Sequence, residues 1–249
     1  MKKQLSIGSF VIFLISCIPL FGQPEQQRKD IFPTVSTEIK NSVQLDRFSV
    51  QISVLGNIAI TTYDMTFINS ENRVLEGQME FPLQEGEQVI GYQLEVNGKM
   101  RKGVVVEKEE ARQVFEEVVN RRVDPGIIEK TQGNNYRTRL YPIPANGTKR
   151  VIITSQQVLY KQNEQYNYIF PLYSKTVLSE FNLEMTIYNQ DFTPILIQNS
   201  FFDFIFSKKN RDFYSSFKLA KKALNEPFTI NIPCNSKKDN IIFETFDSD

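Results

Sequence analysis

Apolar and polar residues alternate with a period of two through most of this chain. Phe48, Val50, Ile52 and Val54 share one side of the first clear run, and Ala59, Thr61, Tyr63, Met65 and Phe67 share one side of the next. Period-two alternation is the mark of a half-buried strand. The two runs flank Leu55-Gly56-Asn57, so they predict an antiparallel hairpin. Asn69-Ser70-Glu71-Asn72 reads as a turn, and Leu75 to Phe81 as the next strand, ended by Pro82. Val89–Val96 and Lys99–Val106 flank Asn97-Gly98. Asn-Gly between two strands predicts a type I′ turn, whose central residues both need positive φ.

The period then changes. Ala111, Val114, Phe115, Val118 and Val119 fall at helical spacing and make one apolar stripe. Glu107, Glu109 and Glu110 suit a first turn, and Arg121 and Arg122 a last one. Asp124-Pro125-Gly126 stops the pattern. The spacing predicts one amphipathic helix over about 107–122, packed across a sheet. Alternation returns at Tyr136, Thr138 and Leu140, which places Arg137 and Arg139 together on the opposite face of one strand. That pair is the candidate interaction surface; pairing with glutamates is its structural alternative. Pro142-Ile143-Pro144-Ala145-Asn146-Gly147 reads as a corner, since prolines argue against a central strand. Asn146-Gly147-Thr148 also fits a glycosylation acceptor. Further strands are expected at 151–160, 166–172, 181–187, 195–197, 202–206, 213–219, 228–232 and 241–246. Many short strands predict a mainly β protein, an antiparallel β-sandwich with the single helix inserted between strands.

Composition narrows the chemistry. Basic and acidic residues number 29 each, so no basic excess points to nucleic acid. His is absent, which removes the commonest general base and metal ligand. Glu109-Glu110 and Glu116-Glu117 are neighbours along a helix and do not face one another as a carboxylate pair would. No catalytic residue, metal or cofactor is expected.

The N-terminus reads Met-Lys-Lys, then an apolar run from Leu5 to Phe21, then Gly22-Gln23-Pro24. This predicts a signal peptide over 1–22 and an exported protein, periplasmic, envelope-associated or extracellular. Leu14-Ile15-Ser16-Cys17 offers an alternative, lipidation at Cys17, although Ile18 to Phe21 stays apolar after it. Membrane contact is expected only through that segment or a lipid anchor. Either route leaves Cys234 without an internal disulfide partner, so the fold must rest on its core. Residues 23–45 are polar and read as a linker.

Combinations of short motifs resemble the VIT domain, named for vault protein and the inter-alpha-trypsin inhibitor heavy chains. They are Thr66-Phe67-Ile68-Asn69 before Leu75-Glu76-Gly77-Gln78-Met79-Glu80-Phe81-Pro82-Leu83, then Val96-Asn97-Gly98-Lys99, Glu107 to Arg112 with Phe115, Tyr136-Arg137-Thr138 and Ile143 to Gly147. The resemblance covers about 43–158. It implies a β-sandwich at 46–160 with no catalytic residues and a scaffold or extracellular role. Residues 161–249 are expected to continue or pack on that sandwich. Family members often carry a von Willebrand A domain next. Its Asp-x-Ser-x-Ser motif is missing: Asp212-Phe213-Tyr214-Ser215-Ser216 has Tyr where the first Ser belongs. Metal-dependent adhesion is therefore not carried over, nor is the heavy chains' hyaluronan linkage.

The expected function is a non-catalytic, exported protein-interaction or scaffold module with a protein partner. The alternatives are a truncated or split product of a VIT plus von Willebrand A protein with a folding or adhesion role, and an exported carboxylate-dependent hydrolase.

Overall fold

A computed structural model describes residues 32–107, 126–172, 174, 176–197, 204–224 and 226–234. In chain order the strands are β1 (Thr34–Thr37), β2 (Val43–Leu55), β3 (Ile58–Asn69), β4 (Leu75–Pro82), β5 (Glu87–Val96), β6 (Lys99–Lys102), β7 (Val104–Glu107), β8 (Ile127–Thr131) and β9 (Asn135–Ile143). They continue with β10 (Thr148–Val158), β11 (Lys161–Gln162), β12 (Gln165–Phe170), β13 (Leu178–Tyr188), β14 (Ile195–Ile197), β15 (Ser207–Lys209), β16 (Asp212–Lys222) and β17 (Phe228–Pro233). The described residues are thus mainly β, as the alternation predicts.

Three sheets form. Five strands take the order β1-β4-β9-β8-β7, eight take β15-β16-β13-β2-β3-β10-β5-β6, and four take β11-β12-β17-β14. The two smaller sheets pack on the inner face of the large one. Tyr63 of β3 meets Phe81 of β4 edge-on at 5.0 Å and stacks with Phe170 of β12 at 6.1 Å. Tyr92 of β5 and Thr138 of β9 share a 2.7 Å hydrogen bond across the first interface. One core cluster runs through all three sheets, including Val50, Met65, Phe67, Leu140, Phe181 and Ile230. Each such inward side chain contributes roughly 1.5–3 kcal/mol of burial.

The predicted hairpins are present. β2 pairs antiparallel with β3, and all five residues read as one face of β3 are buried. Asn97 and Gly98 both have positive φ, 52° and 73°, as a type I′ turn demands.

Several expectations need correction. The pairing is mixed, not purely antiparallel: β13 runs parallel to β2, and β7 parallel to β8. Parallel neighbours need a long crossing connection instead of a tight turn, and the chain between each pair is long enough to supply one. The helix expected over about 107–122 lies outside the described residues, except that Glu107 ends β7, opposite Lys130. Its start therefore cannot be at Glu107. The single strand expected over 99–106 is two strands in different sheets. The break is Gly103, whose backbone lies against Tyr92 and the Gly126 carbonyl so closely that no Cβ fits. The expected corner is present at Pro144 to Gly147, but Pro142 itself lies within β9, beside β4 and beyond Thr138, the last residue of β9 paired with β8. Leu75 pairs with Ile143 and Gly77 with Leu140, so Tyr141 and Pro142 together oppose Glu76 in a bulge, where proline costs no ladder bond. Finally, β1 and the start of β2 lie within the stretch read as a linker, with β1 registered against β4 from Thr34 opposite Glu80 to Thr37 opposite Gly77. Residues 204–206 are not a strand.

Candidate interaction face

β4 and β9 settle which side chains leave the core. Leu75, Met79 and Phe81 point inward on β4, so Glu76, Gln78 and Glu80 point out. On β9, Tyr136, Thr138 and Leu140 are buried, so Arg137, Arg139 and Tyr141 point out. Antiparallel register then sets acids beside bases. Glu80 is directly opposite Arg137, and their ion pair measures 3.2 Å. Arg139 reaches diagonally to Glu76 with two parallel bonds, Nε to Oε1 and Nη2 to Oε2, each 2.6 Å. Hydrogen bonding from Arg139 holds the Glu76 carboxyl below its ordinary range. The Arg139 guanidinium also lies 5.7 Å from the Tyr141 ring centre, within cation–π range.

The sequence-predicted pair Arg137 and Arg139 therefore does share one face, and both are paired with glutamates. They line an open groove of about 980 Å³ over the outer surface of the five-stranded sheet. Ser36 and Glu38 close one rim, and Ile127 and Glu129 the other. A 2.7 Å ion pair joins Arg73 to Glu38 at the first rim. Val74 and Tyr141 are 54% and 48% exposed in the groove, which gives it apolar contact area between the charged rows. Close packing of Gly77 on Val35 keeps β1 tight against β4; an added Cβ would come within 2.6 Å of the Val35 Cγ1. Cys17 lies outside the described residues. Cys234 is a half-buried free thiol.

Sequence reasoning offered glutamate pairing for these arginines but did not name the partners, although Glu76 and Glu80 alternate on β4 as the arginines do on β9. A pairing of those two strands was the missing signal. It also missed Asp64 and Arg150, which make a second bidentate pair, 2.8 and 2.5 Å, on the outer face of the large sheet. Among the described residues no group of three or more potential metal ligands comes together.

Fold and face together define a mainly β protein with an open, charge-laddered outer groove. Residues 45–155 match the sequence profile of the Vault protein inter-alpha-trypsin domain family. That segment of the chain is a VIT domain. A mouse protein, mono-ADP-ribosyltransferase PARP4, is 34% identical over 80 residues, which make up 32% of this chain and 4% of the mouse protein. Among solved structures, a Legionella pneumophila protein described as a candidate nutrient binding protein superposes with a TM-score of 0.50 at 12% identity, covering 80% of this chain and 69% of its own. That likeness is one of fold. An M1 zinc metallopeptidase from Deinococcus radiodurans gives a TM-score of 0.43 at 10% identity over 76% of this chain and 42% of its own, too distant to bear on function.

Proposed function

We propose that this chain is a non-catalytic, exported protein-interaction module that engages a protein partner through the outer face of its five-stranded sheet. The observation that carries this reading is the groove, where two arginine–glutamate pairs flank exposed Val74 and Tyr141 within a VIT domain. Aromatic and arginine side chains are the usual anchors of protein interfaces. Both arginines are already charge-paired, so the face offers directional hydrogen bonding without a net anion-binding field. Glu38, Glu76 and Glu80 there are each tied to an arginine, an arrangement suited to recognition and not to general acid–base work.

The test is capture of a partner from the native envelope or medium by the full mature chain and by a variant carrying Arg137→Glu and Arg139→Glu. The expected result is a reproducible partner recovered by the parent chain and reduced at least about tenfold by the variant. Equal recovery by both would overturn the face, and hydrolytic activity abolished by a single acid substitution would overturn the non-catalytic reading. Export rests on the N-terminal pattern. Intact mass with membrane partitioning checks it: a soluble chain starting at Gln23 means cleavage, a membrane-bound chain starting at a lipidated Cys17 means an anchor, and an intact Met1 in the cytoplasm would refute export.

A further inference from the structure

Glu87 opens β5 and is a carboxyl buried at the seam of all three sheets, 4% exposed. Its Oε1 accepts hydrogen bonds from the Tyr63 hydroxyl of β3, at 2.7 Å, and from the Ser155 hydroxyl of β10. Its Oε2 has one long contact, 3.4 Å from the Gln84 backbone N–H. Beside it lies a small cavity of about 20 Å³, walled chiefly by Phe32, Phe48, Phe81 and Phe170 with the prolines Pro33 and Pro171. That is room for about one water molecule.

Among the described residues, the groups facing this carboxyl from each packed element are neutral. β3 offers Tyr63 and Thr61, and β10 offers Ser155. β12 offers Tyr168, whose hydroxyl shares a 2.8 Å bond with Thr61. β9 offers Tyr136, whose hydroxyl accepts from the Val89 backbone N–H. The loop before β8–β9 closure adds Asn134, whose side chain donates to the Glu87 carbonyl at 2.8 Å. Among the described residues, none that bonds to the carboxyl or lines the cavity is a cation. An ionised carboxylate here has hydrogen bonds but no counter-charge among the described residues, and room for no more than about one water.

We propose that Glu87 makes the closure of this aromatic seam pH-dependent: the four-stranded sheet docks fully while the carboxyl is protonated and loosens as it ionises. The sheet's hold on the rest of the molecule runs through this point. Tyr168 bonds Thr61, Phe170 stacks on Tyr63, and the Gln84 side chain bonds the Ile169 carbonyl at 2.7 Å. Water drawn in to solvate a carboxylate must part Phe170 and Pro171 from Phe32 and Pro33. The sign follows from burial. Desolvation raises the Glu87 pKa above its ordinary value, against the opposing pull of Ser155 and Tyr63. A raised acid contributes stability that is complete below its unfolded pKa and is lost as pH rises through its folded one.

The experiment is hydrogen exchange by mass spectrometry on the full mature chain from about pH 5 to about pH 9, corrected for intrinsic exchange rates. Peptides covering Tyr166–Phe170 and Phe228–Ile232 should lose protection with rising pH, by up to about tenfold per pH unit, while those covering Val50–Val54 do not. Glu87→Gln should flatten that dependence. Tyr63→Phe keeps the ring but removes a hydrogen bond to the charged form, so its transition should move to higher pH. The proposal is overturned if the parent chain shows no pH dependence, or if Glu87→Gln retains it. Should Glu87→Gln fail to fold, an unmoved transition in Tyr63→Phe overturns it equally.

Discussion

At the scale of single residues, the polar groups inside the sandwich carry more than their sequence neighbourhood suggests. Asn69 is wholly buried. Its Nδ2 donates to the carbonyls of Arg73 and Pro144, both at 2.9 Å, and its Oδ1 accepts from the Glu71 N–H at 2.9 Å. One amide thus ties the turn after β3 to the end of β9. Asn69→Ala removes the side-chain partner of these part-buried backbone groups and should cost roughly 1–3 kcal/mol, measured as a lower urea midpoint with an unchanged slope. Asn69→Asp should be worse, because a carboxylate cannot donate to two carbonyls. Neither this residue nor Glu87 was legible in the sequence. Asn69 opens a run that looks like an ordinary turn, and Glu87 sits in Glu85-Gly86-Glu87-Gln88, where nothing distinguishes the buried acid from its exposed neighbour. Only the third dimension separates them.

At the scale of elements, alternation told most of the story and turn chemistry much of the rest. The β2–β3 hairpin, the Asn97-Gly98 turn and the outward pairing of Arg137 with Arg139 all follow from local pattern. What local pattern could not supply was partnership between distant strands: the switch of sheet at Gly103, the bulge that admits Pro142, and the parallel neighbours of β2 and β8. Edges show a further rule. β6 ends the large sheet on one side with Lys99, Met100, Arg101 and Lys102, and β15 ends it on the other with Ser207, Lys208 and Lys209. Lysine-rich edges discourage pairing with another chain. Replacing Lys99, Arg101 and Lys102 together with threonine should therefore produce larger species than the parent chain under identical conditions, read by size-exclusion chromatography with light scattering. Identical elution would show that the charges do not guard this edge.

At the scale of the whole molecule, the VIT segment is not the unit that buries the core. The family match covers 45–155, yet β13 lies alongside β2 from Glu180 opposite Arg47 to Tyr188 opposite Leu55. Phe181, Leu183, Met185 and Ile187 of β13 are each no more than 1% exposed. β12 and β17 add Phe170, Phe228 and Ile230 to the same interior. A fragment limited to 45–155 should consequently expose the edge of β2 and a wide apolar face. The expected behaviour is strand-rich circular dichroism with poorly dispersed amide resonances and strong binding of a hydrophobic dye, while 32–234 is well dispersed. A well-dispersed short fragment would show that the later strands are an independent addition.

The β2–β13 ladder has a consequence for how the molecule comes into being. Its first paired residues, Arg47 and Glu180, are separated by more than half the chain. Loop closure over such a distance is slow compared with forming a hairpin. The β2–β3 hairpin can therefore assemble early, but its outer edge waits for a strand that is made much later. Throughout that interval the nascent chain presents an open β edge bearing alternate core side chains, Val50, Ile52 and Val54 among them. Folding speed, and the need for protection against wrong pairing during synthesis, are set by the arrival of β13 and not by the domain that carries the family signature.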